Sequence, residues 1–212
     1  TALVVLEANH PLDELLTITI HDVRGTVGGG SRLGAGPRLS REDLLRLALM
    51  SSENRAAHAV CRNYPGGTSA CVRAMNDKAG ALGMTSARFV EPTGLSSSNV
   101  ASPEDLAKLV LATAENPTIR DYSTAASHTV VATRQRLEFR NTNLLVGNPA
   151  WQVNVQKTGY ISEAGRCLVM QAVIDGREVV IVLLNSWGKL TRVADAKRIR
   201  TWLETRRPSD TG

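Results

Sequence analysis

Three features of the sequence predict an α/β chain of the α+β kind, an antiparallel sheet flanked by helices with a helical subdomain. Val153-Asn154-Val155-Gln156-Lys157 alternates apolar and polar side chains, the period of a half-buried strand. Residues 167–174 and 179–184 are apolar runs joined around Asp175-Gly176, a hairpin signal. Between an early strand pattern and these late ones lies a long block of helical periodicity, and one more helix closes the chain. There is no internal repeat and no proline-rich linker. The 212 residues, 42% of them hydrophobic, therefore read as one unit spanning 1–212, with a helical insertion at about 38–125.

Residues 1–8 look like the tail of a buried helix stopped by Asn9 and Pro11. Leu16-Thr17-Ile18-Thr19-Ile20 alternates as a strand. Residues 25–37, with Gly28-Gly29-Gly30, read as a long surface loop. No Gly-Lys-Ser/Thr closes it, so it is not a phosphate cradle. Ser40 caps a helix, with Asp43 three residues on as a weak capping box. Leu44, Leu45, Leu47, Ala48 and Leu49 are too continuously apolar for a surface helix, which makes this one central. The pattern breaks at Ser52-Glu53-Asn54 and resumes from Arg55. Pro65-Gly66-Gly67 ends the second helix. Thr68 is the expected cap of a third, which ends near Gly83. Glu91-Pro92-Thr93-Gly94-Leu95 is a turn. Ser102-Pro103-Glu104-Asp105 opens a helix with a cap, a proline at the first position and acids at the positive end of the dipole. Asn116-Pro117 stops it. Strands at 129–133 and 137–139 precede the Lys157 strand. The last helix, 193–203, repeats Val193, Ala196, Ile199, Trp202 and Leu203 on one face.

A net charge of +5 suits an anionic partner such as cell-wall polymer, nucleic acid or a membrane surface, but an ordinary basic surface is the favoured reading. No run of five or six basic residues marks a nucleic-acid patch, so no nucleic-acid partner is expected. Cys61, Cys71 and Cys167 form no Cys-x-x-Cys and have no histidine at ligand spacing, so no zinc or similar metal site is expected. Packed free thiols are the favoured reading, with a Cys61–Cys71 disulfide left open for an oxidising compartment. No stretch is long and apolar enough for a transmembrane segment. Thr1 lies at the edge of the apolar run Ala2-Leu3-Val4-Val5-Leu6, and a preceding segment is expected.

Two stretches carry chemistry. Lys157-Thr158-Gly159-Tyr160 ends a strand. Lys157 is a point charge suited to a carboxylate, Thr158 adds a short hydroxyl donor, and Gly159 lets another backbone come close. Ser52-Glu53-Asn54 sits where two helical patterns meet, so the Ser52 hydroxyl and the Asn54 amide can both point into a cleft. Read alone, Ser52 is better explained as a helix cap.

Ser-x-Asn followed about a hundred residues later by Lys-Thr-Gly resembles the penicillin-binding proteins and serine β-lactamases. The surrounding residues are similar to the low-molecular-mass D-alanyl-D-alanine peptidases, with the endopeptidase branch nearest. They are Leu49-Met50-Ser51-Ser52-Glu53-Asn54-Arg55-Ala56-Ala57, Tyr64-Pro65-Gly66-Gly67, Thr93-Gly94-Leu95, Asp105-Leu106-Ala107, Asn141-Thr142-Asn143-Leu144-Leu145 and Gln156-Lys157-Thr158-Gly159. The resemblance implies a transpeptidase fold and a periplasmic, cofactor-free serine hydrolase. Its substrates would be peptidoglycan peptides, and β-lactam antibiotics would inhibit it covalently. Ser52 would relay a proton to the leaving amine, and Asn54 would hold a substrate carbonyl or the nearby lysine. Lys157 and Thr158 would bind the substrate carboxylate, on a strand against which the peptide pairs, and the Tyr160 amide would supply half the oxyanion hole. The family's nucleophile lies in Ser-x-x-Lys ahead of Ser-x-Asn. The one literal match here, Ser186-Trp187-Gly188-Lys189, follows Lys-Thr-Gly and is rejected. The serine and its lysine base are expected just upstream of Thr1.

Three rival readings stand beside this one. A carboxypeptidase shares every motif. A class A-like β-lactamase would use Glu91 to activate the deacylating water. A non-enzymatic scaffold would bind peptidoglycan without a nucleophile.

Overall fold

The computed structural model describes residues 1–26, 30–188 and 190–206. Helix α1 (Ala2–Glu7) leads to the short strand β1 (Leu15–Thr17), helix α2 (Ile20–Arg24) and strand β2 (Arg38–Ser40). Helices α3 (Arg41–Ser51), α4 (Asn54–Arg62), α5 (Gly67–Ala81), α6 (Pro103–Ala114) and α7 (Pro117–Thr124) follow. A hairpin of β3 (Ser127–Ala132) and β4 (Gln135–Arg140) precedes the long strands β5 (Gln152–Ile161), β6 (Gly165–Ile174) and β7 (Arg177–Ser186). Helix α8 (Thr191–Thr205) comes last.

All pairings between these strands are antiparallel, with β1 beside β2, β3 beside β4, and the order β5-β6-β7 in the main sheet. The β6–β7 turn forms at Asp175 and Gly176 as expected, both with positive φ (51° and 72°), the backbone a two-residue hairpin requires.

Each face of the main sheet is covered. Leu168, Met170, Ala172 and Ile174 alternate along β6 and, with Ile181, pack on Ala196, Val193 and Ile199 of α8. On the opposite face Val155 meets Leu3 of α1, Val110 and Ala114 of α6, and Ile119 of α7. A larger core joins α1, α3, α4, α5 and the two small sheets, with Leu44, Leu45 and Leu47 fully buried. Burying each such leucine is worth about 1.5–3 kcal/mol, so the continuously apolar run marks α3 as the central helix. The side-chain oxygen of Ser40 caps it by accepting from the Asp43 amide at 3.0 Å. The Asp43 carboxylate turns instead to His128.

Several local expectations are corrected. Ile20 begins α2 rather than ending a strand, because Thr19 and Asp22 form a capping box: the Thr19 amide and hydroxyl donate to the Asp22 carboxylate at 2.7 and 2.9 Å. Strand β2 and helix α7 were not foreseen. Asn116 does stop α6, but its side chain also caps α7 by accepting from the Ile119 amide. Helix α5 begins at Gly67 after a left-handed Gly66, so Thr68 lies inside it. Asn154 and Gln156 are buried, because both faces of the sheet are covered and polar partners meet them there: Gln171 and Glu178 for Asn154, Ser123 and Asn141 for Gln156. A bulge between Val153 and Val155 also interrupts the alternation of β5. Cys61 and Cys71 are disulfide-bonded, joining α4 to α5, while Cys167 is free. Gly28 and Gly29 of the glycine-rich loop, and Lys189 of the rejected Ser-x-x-Lys match, lie outside the described residues. No helix among the described residues is long and apolar enough to cross a membrane.

Candidate active site

The break between α3 and α4 meets the edge of the main sheet. Ser52 is the C-cap of α3 in the left-handed conformation (φ 56°, ψ 40°). For a residue with a Cβ this costs about 1–2 kcal/mol, and it turns the chain sharply before α4. Glu53 then caps α4, its buried carboxylate accepting from the Arg55 amide at 3.1 Å and the Ser31 hydroxyl at 2.6 Å. Burial pushes the Glu53 carboxyl up, against the hydrogen bonds from Ser31 and the Arg55 and Arg32 amides.

Strand β5 supplies the other wall. Lys157 Nζ donates to Ser52 Oγ and to the Thr158 carbonyl, the latter at 2.7 Å. Loss of solvation, and after it the charge of Arg192, bring the Lys157 ammonium down to about 8 from its ordinary value of 10.5. Arg192, in the first turn of α8, donates to the carbonyls of Gly159 and Cys167, each at 3.2 Å. Its own pKa is lowered by burial and by Arg166. Arg166 in turn lies over the exposed Tyr160 ring, 4.4 Å from its centroid. Lysine and arginine thus stand near one another, and among the described residues no carboxylate bonds to either, an arrangement that favours capture of an anion.

Thr158 is buried, its hydroxyl 2.7 Å from that of Thr142. Gly159 has ordinary backbone geometry. A Cβ there would meet Cys167 Cβ at 3.6 Å, a normal contact, so packing within the fold does not require a glycine. Asn54 opens α4 and lines the same cleft, but among the described residues its side chain makes no hydrogen bond to Ser52 or Lys157. The cleft, about 340 Å³, is lined by Thr1, Leu49, Ser52, Asn54, Thr93 and Lys157, among others. Its walls are mostly apolar with a few convergent polar groups, the usual character of a ligand site.

The structure therefore gathers Ser52, Asn54, Lys157 and Thr158 at one edge, with Gly159 and Tyr160 continuing the strand. Sequence reasoning missed Arg192, since one arginine on a basic helix carries no motif. Glu53, between Ser52 and Asn54, carries no motif signal of its own. Thr142 lies within Asn141-Thr142-Asn143-Leu144-Leu145, where the sequence assigns it no role.

The sequence profile of the peptidase family described as D-alanyl-D-alanine carboxypeptidase matches residues 1–188. A D-alanyl-D-alanine endopeptidase of Pseudomonas aeruginosa is 49% identical over 207 residues, covering 97% of this chain and 67% of the relative. One of the same name from Escherichia coli is 47% identical with the same coverage. The crystal structure of a Streptomyces DD-transpeptidase superposes with a TM-score of 0.87 at 25% identity, over 96% of this chain and 84% of that one. A family match over most of the length, relatives near half identity and a shared architecture agree: the chain belongs to the D-alanyl-D-alanine carboxypeptidase family of serine peptidases, with the penicillin-binding fold.

Proposed function

We propose that residues 1–212 form one catalytic domain of a serine-type D-alanyl-D-alanine endopeptidase that cleaves peptide cross-links in peptidoglycan through an acyl-enzyme. The observation that carries this reading is the contact of Lys157 with Ser52, on the outer strand β5 beside the α3–α4 break, with Arg192 behind it. In this reading Lys157 and Thr158 take the substrate carboxylate, and Gly159 leaves room for the substrate backbone to pair along β5. Asn54 holds a substrate carbonyl, and the Tyr160 amide supplies half of the oxyanion hole. The nucleophile is the serine of the family's Ser-x-x-Lys and its base the lysine of that motif.

The serine oxygen attacks the cross-link carbonyl and yields its proton to the base. The carbon–nitrogen bond breaks, and Ser52 relays a proton to the departing amine. Water then cleaves the ester, restoring the serine and releasing a carboxylate. Ser186 is unsuited to the nucleophile's place, because it ends β7, two strands from β5, opposite Arg166.

Relatives named endopeptidase at 49% and 47% identity favour cross-link cleavage over carboxypeptidase action. The β-lactamase alternative is disfavoured at Glu91. Its carboxylate is engaged by the amides of Thr93, Gly94 and Ser96, the Thr93 hydroxyl and the Asn99 side chain. It serves as the hub of its own turn, without a free oxygen to activate water. The Cys61–Cys71 bond fits an oxidising, periplasmic compartment.

The test is digestion of purified cross-linked muropeptide dimer and of monomeric pentapeptide by the full-length protein, followed by mass spectrometry. Dimer cleaved to monomers is expected. Release of terminal D-alanine from pentapeptide with the dimer left intact would make the protein a carboxypeptidase. Stoichiometric acylation by penicillin without rapid turnover is expected alongside.

A further inference from the structure

We propose that Thr142 is a positioning residue for carboxylate recognition: its hydroxyl aims the Thr158 hydroxyl proton at the ligand. The inference deepens the reading above and rests on it, because it takes Thr158 as a carboxylate donor.

Thr142 lies in the segment between β4 and β5 and touches both the end of α3 and strand β5. Its amide donates to the Met50 carbonyl at 2.9 Å. Met50 is in the last turn of α3, whose final carbonyls have no partner within the helix and carry its negative partial charge. The Thr142 hydroxyl is 3.3 Å from that same carbonyl and 2.7 Å from Thr158 Oγ1. One side chain therefore ties the α3 terminus that presents Ser52 to the strand that presents Lys157 and Thr158.

A hydroxyl has one proton and two lone pairs, so two hydroxyls and one carbonyl can share protons in two ways. In the first, Thr142 donates to Met50 and Thr158 donates to Thr142, which turns the Thr158 proton away from any ligand. In the second, Thr142 donates to Thr158, and the Thr158 proton is free to point outward. The distances decide which is cheaper to adopt. A separation of 3.3 Å is beyond the normal range for a hydroxyl donor, whereas 2.7 Å is near its optimum. The Met50 carbonyl also keeps the Thr142 amide when the hydroxyl turns away. Little is lost by choosing the second arrangement, and an arriving carboxylate gains a donor polarised by the hydroxyl behind it. The Thr158 carbonyl is held by Lys157, so the backbone of this residue is fixed while only its hydroxyl proton reorients.

Thr142→Val removes the hydroxyl at nearly constant volume and keeps the amide bond to Met50. Thr142→Ser keeps the hydroxyl. The experiment measures second-order acylation of the full-length protein by a penicillin and by its methyl ester, read by intact mass. The wild type is expected to favour the acid. In Thr142→Val the acid-to-ester ratio falls by about fivefold, the range of one neutral hydrogen bond, while the ester rate holds. Thr142→Ser restores the ratio. Equal losses for acid and ester in Thr142→Val would mean a structural role and overturn the proposal, as would an unchanged ratio. A wild type that favours the acid while Thr142→Val does likewise sinks this inference alone. A wild type acylated by neither compound removes the reading of function, and this inference with it.

Discussion

Lys157 on β5 donates a hydrogen bond to Ser52 Oγ at the end of α3, although 105 residues separate them in the chain. The contact joins the two motif-bearing segments and makes each sensitive to loss of the other. Lys157→Ala is expected to weaken capture of both penicillin and a D-alanyl-D-alanine peptide by at least tenfold, since truncating one partner of a desolvated charge interaction costs about 2–5 kcal/mol. Acylation kinetics by intact mass check this. An unchanged rate would remove Lys157 from the site.

The depressed ammonium gives a pH signature. Lys157 is charged below about 8 and neutral above it, so the second-order acylation constant should decline as pH rises through that value. That constant reports the free enzyme's groups. Lys157→Arg, which stays charged, should lose this alkaline limb even if its absolute rate is lower. The stability effect has the opposite sign. Between about 8 and the ordinary 10.5 the unfolded chain holds the lysine proton more tightly than the folded one. The contribution of this residue to folding therefore improves with pH across that window. Chemical denaturation of wild type and Lys157→Met at pH 7.5 and 10 measures the difference.

Asp22 is fully buried under α4. Burial alone would raise its carboxyl, but hydrogen bonds from His58, Arg62 and Thr19 outweigh it and hold the group well below the usual carboxylate range. Its contribution is complete above the unfolded carboxylate value and is lost as pH falls through the folded one. Asp22→Asn leaves His58 and Arg62 without their anion and should cost about 3 kcal/mol in urea denaturation. A loss below 0.5 kcal/mol, roughly the scale of an exposed pair, would contradict this account.

The Cys61–Cys71 bond closes a loop with a sequence separation of 10 between α4 and α5. Cross-linking so short a loop stabilises by about 3 kcal/mol through the unfolded state. Reduction should lower the melting temperature by several degrees, on the scale of about 2–4 °C per kcal/mol for a domain of this size. A melting curve indifferent to reductant under denaturing pre-treatment would show that the bond contributes nothing.

The strands of the main sheet, the hairpin at Asp175-Gly176, the central α3 and the caps at Ser40 and Ser102 were all legible, because period, capping and turn chemistry act over a few residues. So were the two motifs and the resemblance they carry. The misses have a common cause. Ile18 and Ile20 alternate like a strand, yet Asp22 three residues beyond Thr19 supplies a capping box that ends the strand first. Gln156 looked solvent-facing, yet its side-chain amide donates to the Ser123 carbonyl and to Asn141, partners that only the folded chain brings near. Cys61 and Cys71 read as thiols until two helices placed their Cα atoms 5.5 Å apart. By itself, then, the sequence determined the elements, the family resemblance and the residue types available for chemistry. The tertiary structure decided which of them meet. It set Lys157 against Ser52, placed Arg192 close enough to lower the lysine's pKa, and turned Thr142 toward Thr158. Charge and hydrogen bonding depend on distance in space, and that distance is fixed only when the helices close on the edge of the sheet.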